Sequence, residues 1–313
     1  MHKLKKVSIC QNFSKKYKII SLLGVGAISK VYKARAKDNK KKQVAVKVYQ
    51  KSNLHPKNSQ NGKNDYKEKF SKMVTEIRVL RRVKHPNLLR MVTIYETLEV
   101  VYVVLELLKG PSITQSYVYN TTLSVEEIMY IMYYILKALK HMHTQGIVHR
   151  NLKPEGVILM KNGRPSNNNP VKLISYTHCG FTTNKTSLKR TYGTFGFIAP
   201  ECFSDSDENE DKDEEYQFNN SIEVNESKKS SNNFAFGKQL TEKEILETKK
   251  DIWSLGALMY YFITQNTVFS AKEESYQNLK NLNFQGNMVL SHPTFTNLPK
   301  FSKKQLKHKL GNF

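Results

Sequence analysis

Residues 147–159 read IVHRNLKPEGVIL and set Asn151, a neutral amide, where a carboxylate would make chemical sense. The sequence before this stretch carries a helix signal. Ser124 and Glu127 form a capping box, and Ile128, Ile131, Met132, Ile135, Leu139 and Met142 recur at helical spacing until Gly146. Further upstream, residues 18–50 alternate apolar and polar positions around a glycine turn and end in KKQVAVKVY, which predicts strands. A polar loop from Ser52 to Lys67 follows. Phe70, Met73, Ile77 and Leu80 then give helical spacing, and LEVVYVVLELL reads as strand again. Downstream, the text between Cys202 and Gln239 is acidic, then Ser- and Asn-rich, with too few apolar side chains to order itself. Thr241 and Glu244 repeat the capping signature ahead of the apolar DIWSLGALMYYFIT. The chain is strand-rich first and helix-rich later, with no repeat.

With 313 residues and 39% hydrophobic content, it can bury a sizeable core as one large or two linked units. The formal net charge is +23, although residues 205–215 alone carry eight acidic side chains against Lys212. The remainder is therefore more basic still and favours acidic or phosphate-bearing partners. No arginine-rich arm or aromatic-interleaved basic strip argues for nucleic acid. Cys10, Cys179 and Cys202 lie far apart without CxxC spacing, which disfavours a zinc site and a disulfide framework and suits a reducing compartment. Neither a signal peptide nor an apolar run of about 20 residues is present, so the expected location is cytoplasmic or nuclear, with no membrane partner.

The run LLGVGAISKVYKA places Gly24, Val25 and Gly26 after a strand, with Val31 opening the next. Lys47 ends VAVK, and Glu76 sits in the helix beyond. A glycine-rich hairpin lets backbone N–H groups approach phosphates, and a lysine held by a helix glutamate reaches the α- and β-phosphates. Taken with VKHPNLLRM, VVLELLKG, HRNLKPEGV, GTFGFIAPE and KKDIWSLGALMYY in this order, the run resembles the protein kinase family from about Lys18 to the C-terminus. The KPE of the loop and the GTFGFIAPE segment are similar to its Ser/Thr branch.

The resemblance implies an α+β, bilobal fold. After a tail of residues 1–17, a small antiparallel β lobe covers 18–108, and a larger, mainly helical lobe covers 109–313, interrupted by an insertion at 204–238. It implies that ATP sits under Gly24, Val25 and Gly26, against Val31, Ala45 and Ile158, with hinge contacts at Glu106 and Leu108. Lys47, held by Glu76, together with Lys153 and Arg150, makes the cleft cationic. Leu80, Met91, His149 and Tyr176 match the apolar column that aligns the lobes, so His149 reads as a packed core residue. Thr191 and Thr194 fall in the activation segment, with Arg150 placed to receive a phosphate there. SKKQLKHKLGNF ends the sequence before the last helices and the arginine that pairs with the glutamate matching Glu201. This implies a shortened large lobe, Glu201 without that partner, and exposed apolar surface.

The same resemblance exposes the departures. The family's catalytic-loop aspartate, which accepts or orients the substrate hydroxyl proton, is Asn151; the asparagine that helps hold the second magnesium is Gly156; and the chief magnesium-binding aspartate is Ser175, followed by Tyr176 and Thr177. An amide cannot take the proton, and a hydroxyl is a poor ligand for a hard cation that relies on carboxylate oxygen. The glutamate matching Glu155 serves peptide contacts rather than metal. The expectation is therefore a Ser/Thr-type kinase-like domain that is degenerate, a pseudokinase. It binds ATP without magnesium or another metal and acts through protein partners in signalling; the alternative is a slow ATP-dependent Ser/Thr protein kinase.

Overall fold

The computed structural model describes residues 13–54, 62–117, 122–184, 192–203 and 240–268. The 204–238 insertion, Thr191 and everything after Val268 lie outside them. The architecture is α+β and bilobal, with a five-stranded antiparallel sheet ahead of a mainly helical region. The strands are β1 (Tyr17–Val25), β2 (Lys30–Ala36), β3 (Gln43–Gln50), β4 (Met91–Glu96) and β5 (Val100–Glu106), in the order β1-β2-β3-β5-β4.

Period-two alternation along β3 sorts its side chains between two cores. Val44 and Val46 join Phe13, Tyr17, Tyr95 and Val104 on one face. Ala45 and Tyr49 belong to the larger core on the other. Lys47 shares the parity of Ala45 and Tyr49, which aims it at the helix covering that face. A short helix α1 (Phe13–Lys16) closes the first core, its Phe13 ring stacked on Tyr102 at 4.3 Å.

After α2 (Lys51–Leu54), helix α3 (Gly62–Arg82) begins inside the stretch expected to be loop. Residues 62–67, GKNDYK, offer only Tyr66 as an apolar position, so periodicity gave no sign of them. From Phe70 onward the helix matches expectation, with Met73, Ile77 and Leu80 buried. Strand β4 was not anticipated; MVTIYE is short and half-buried, and its pairing with β5 forms it.

Beyond α4 (Ile113–Tyr117), helix α5 (Val125–Thr144) is capped as its sequence predicts. The Ser124 hydroxyl accepts from Glu127 N–H at 3.2 Å, and Glu127 accepts from Ser124 N–H at 2.7 Å. Ile128, Ile131, Ile135, Leu139 and Met142 are buried along one stripe. The second capping box, at Thr241 and Glu244, opens one continuous helix α6 (Glu242–Thr264). Ile245, Leu246, Ile252 and Met259 of α6 are exposed. Glu201 takes part in an interaction within the chain.

Residues 147–159 fold as strand β6 (Ile147–Val148), a loop, a 3-10 turn at Pro154–Gly156 and strand β7 (Val157–Leu159). Strand β7 pairs with β8 (Val171–Leu173), and β6 with β9 (Gly180–Phe181). Two small ribbons thus bracket His149 to Lys153.

Candidate active site

Lys47 and Glu76 meet as their positions on β3 and α3 require. Lys47 Nζ lies 2.6 Å from Glu76 Oε1 and 2.7 Å from Oε2. Glu76 is 3% exposed, and its Oε2 also accepts from the Tyr49 hydroxyl at 2.7 Å. Two donors on one buried carboxylate satisfy the charge that burial would otherwise penalise. Burial, then the charge and hydrogen bond of Glu76, raises the Tyr49 hydroxyl well above its usual range.

The glycine turn lies at the far end of β1. Gly24 faces Val31 across the β1–β2 pair, Val25 faces Lys30, and Gly26 N–H donates to Ser29 O at 2.8 Å. A Cβ at Gly24 would meet no atom within 4 Å, so packing within the chain does not require glycine there. Such a glycine in a strand often marks the close approach of a ligand. Ala45 is buried, while Val31, Ile158 and Leu108 are half-buried. The Leu108 backbone, just past β5, takes part in no hydrogen bond among the described residues. Glu106 turns its carboxylate away from this segment, accepting from Lys172 Nζ at 2.7 Å and Arg90 N–H at 2.8 Å.

Asp251 of α6, fully buried, organises the catalytic loop. It accepts from His149 N–H and Arg150 N–H at 2.8 Å each, and its Oδ2 lies 2.8 Å from His143 Nε2. Burial pushes its pKa up, but these hydrogen bonds and the neighbouring histidines outweigh it and hold the carboxyl below its usual value. Arg150 sits at φ 63°, a left-handed backbone that the Asp251 bond holds in place. The Arg150 side chain does not line the cleft. It donates to His178 O at 2.8 Å and Cys179 O at 3.0 Å, with its guanidinium 4.9 Å from the Tyr192 ring centroid. The expected phosphate receptor is thus already engaged.

Asn151 is 7% exposed and bonded at both ends. Its Oδ1 accepts from the Thr194 hydroxyl at 2.8 Å, and its Nδ2 donates to His178 Nδ1 at 3.1 Å. Burial and the nearby cations Lys72, Arg150 and Lys153 lower the His178 pKa to about 4, which keeps the ring neutral and its Nδ1 free to accept. Lys153 is half-buried and Glu155 exposed. A Cβ at Gly156 would meet nothing within 4 Å, and its φ lies outside the left-handed range. Ser175 takes φ 102°, which few L side chains adopt.

The aligning column is packed. Leu80, His149 and Tyr176 are buried, Met91 packs against the same core, and the His149 and Tyr176 rings meet edge to face at 6.3 Å. Burial lowers the His149 pKa to about 4, as befits a core histidine. The Tyr176 hydroxyl accepts from Leu89 N–H at 2.8 Å and donates to Leu173 O at 3.0 Å, so its polar end is satisfied in the core.

A protein kinase domain family model matches residues 17–215, more than half of the 313 residues. The chain belongs to the protein kinase family. It is 32% identical over 191 residues to a calcium/calmodulin-dependent protein kinase type 1 of Macrobrachium nipponense, covering 60% of this chain and 50% of that protein. It is 31% identical over 179 residues to calcium-dependent protein kinase 5 of Plasmodium falciparum, covering 57% of this chain and 28% of that one. Sperm motility kinase 2B of Mus musculus matches at 25% over 261 residues, 83% of this chain and 42% of the relative. The chain therefore spans about half or less of the length of these relatives.

For a kinase domain, the features that sequence reasoning missed are contacts. Asp251 carried the only carboxylate in an apolar helix segment, DIWSLGALMYYFIT, which was a usable signal. Tyr49, His178 and the Lys172–Glu106 pair gave none, because each depends on a partner far away in the sequence.

Proposed function

We propose that this kinase-family domain is a pseudokinase. It binds an ATP-like nucleotide through cationic side chains and the hinge backbone rather than through magnesium, and it acts by engaging protein partners in the cytoplasm or nucleus. The observation that carries this reading is Asn151 itself. Its amide bonds to Thr194 and His178 at once, and a carboxylate could not make the donor half of that arrangement. Gly156 and Ser175 supply no anionic oxygen at the family's two metal positions.

Positioned bases contribute about 10² to 10⁴ in rate. Magnesium at transferring phosphates contributes several kcal/mol, at about 1.4 kcal/mol per factor of ten. Loss of both leaves at most a trace of turnover, although the two effects do not simply add. Nucleotide binding is supported by the formed Lys47–Glu76 pair, the open space at Gly24 and the unbonded Leu108 backbone. The residues fit a phosphate-bearing anion and do not fit a pair of divalent cations. The lobes divide near residue 108, and the small lobe takes in residues 13–17, expected to be part of a tail, because Phe13 and Tyr17 are buried in its core.

The Lys47–Glu76 pair also favours a second reading, a slow ATP-dependent Ser/Thr protein kinase, because active members need that pair. Radiolabelled phosphate transfer to the chain itself or to a basic substrate separates the two. No transfer above background supports the pseudokinase; magnesium-dependent transfer lost on Lys47→Met overturns it.

A further inference from the structure

The edge of the five-stranded sheet is unusually bare. Strand β1 has no partner on its outer side among the described residues, and every position from Lys18 to Val25 is exposed. Ile20, Leu22 and Val25 are 49%, 52% and 67% exposed. A long, apolar, unpaired edge strand is a template for another extended segment unless something covers it.

The Tyr17 end of this edge is crowded with cations. Lys18 stands directly opposite Arg35, a like-charge cross-strand pair that costs stability. Backbone bonds from Lys37 N–H to Lys16 O and from Ala36 N–H to Lys42 O, both 2.9 Å, bring Lys16, Lys37 and Lys42 beside them. Residues 13–54 hold twelve Lys and Arg against the single carboxylate of Asp38. None of these five cations enters an ion pair among the described residues. The aromatic rings that single-stranded nucleic acid would stack on, Phe13, Tyr17 and Tyr95, are buried in the sheet's own core. The surface thus asks for an extended polypeptide with carboxylates beside apolar side chains.

We propose that the β1 edge and the cluster of Lys16, Lys18, Arg35, Lys37 and Lys42 dock the chain's own acidic segment, residues 205–224. That segment reads DSDENEDKDEEYQFNNSIEV, eight carboxylates followed by Tyr216, Phe218, Ile222 and Val224. Its charge and its apolar spacing complement those of the edge. Its reach is adequate: about fifteen residues from Phe203 to Phe218 span up to about 50 Å. A compact body of about 250 residues has a radius of gyration of only about 18 Å. The segment leaves after Phe203 in the large lobe, so docking ties the two lobes together by a contact that salt weakens.

The test uses the full chain, with and without Asn and Gln in place of the Asp and Glu of residues 205–215, and a labelled peptide of residues 205–224 read by anisotropy. The neutralised chain binds the peptide at least about tenfold more tightly than the wild type, whose own segment competes at high effective concentration. That binding falls steeply as salt rises to about 300 mM and is lost in the Lys18→Glu, Lys37→Glu double variant. Lys18→Glu turns a repulsive pair into an attractive one, so the variant folds, and an unchanged or raised Tm verifies it. Equal affinity of the two chains, peptide binding that survives the double variant, or tighter binding of an RNA oligonucleotide than of the peptide overturns the proposal.

Discussion

Asn151 Nδ2 donates to His178 Nδ1 across 3.1 Å, so the residue at the family's proton-accepting position is committed to its own activation segment. The pair is chemically matched. A neutral imidazole nitrogen needs a donor, and an amide supplies one while its oxygen serves Thr194. Asn151→Asp places a carboxylate against that nitrogen. The His178 pKa then rises from about 4 past its ordinary value, because an opposite charge within hydrogen-bond reach favours the imidazolium. NMR titration of the ring reads the shift, and a pKa unchanged in the variant contradicts the pairing.

Acid sensitivity follows from three histidines, His149 buried and His85 and His178 half-buried. His85, His149 and His178 each have a pKa lowered to about 4, with burial the largest cause. Unfolded, each titrates near about 6.5. Between these values the unfolded chain binds the protons and the folded chain does not. Their contribution is therefore fully present above about pH 6.5 and is lost as pH falls toward 4. Urea midpoints across this window should drop steadily; a flat profile contradicts the assignment.

Lys47→Met leaves the Glu76 carboxylate, 3% exposed, with the Tyr49 hydroxyl as its remaining partner. Removing one member of a buried pair costs about 3–5 kcal/mol, far more than a surface pair contributes. Chemical denaturation should show a loss in that range. A loss below about 1 kcal/mol means the pair is not formed in solution.

Restoration addresses the chemistry. Gly156→Asn meets open space, and Asp tolerates a left-handed backbone such as that of Ser175 at least as well as serine does. The triple variant Asn151→Asp, Gly156→Asn, Ser175→Asp should therefore fold and gain phosphotransfer by about 10² or more over the parent. If the parent is already as active as the triple variant, the three departures are not what disables the site.

Legibility in the sequence followed the range of the interactions. Capping boxes at Ser124 and Thr241 and the stripes of α3 and α5 depend on residues three or four apart, and each appeared where it was read. Lys47 and Glu76 were legible because strand parity and helix spacing both point inward. The joint of Asn151, His178 and Thr194, the anchoring of the loop by Asp251 and the diversion of Arg150 to backbone carbonyls depend on tertiary placement. Only Asp251, a lone carboxylate in the apolar run DIWSLGALMYYFIT, leaves a local mark in the sequence; the other contacts leave none.

Nucleotide binding that does not depend on a divalent cation is the central claim, and a thermal-shift titration with ATP, with magnesium and with EDTA in its place, tests it most directly. The account predicts a rise in Tm that saturates with ATP, is equal in the two conditions and disappears in Lys47→Met. A rise that requires magnesium contradicts it.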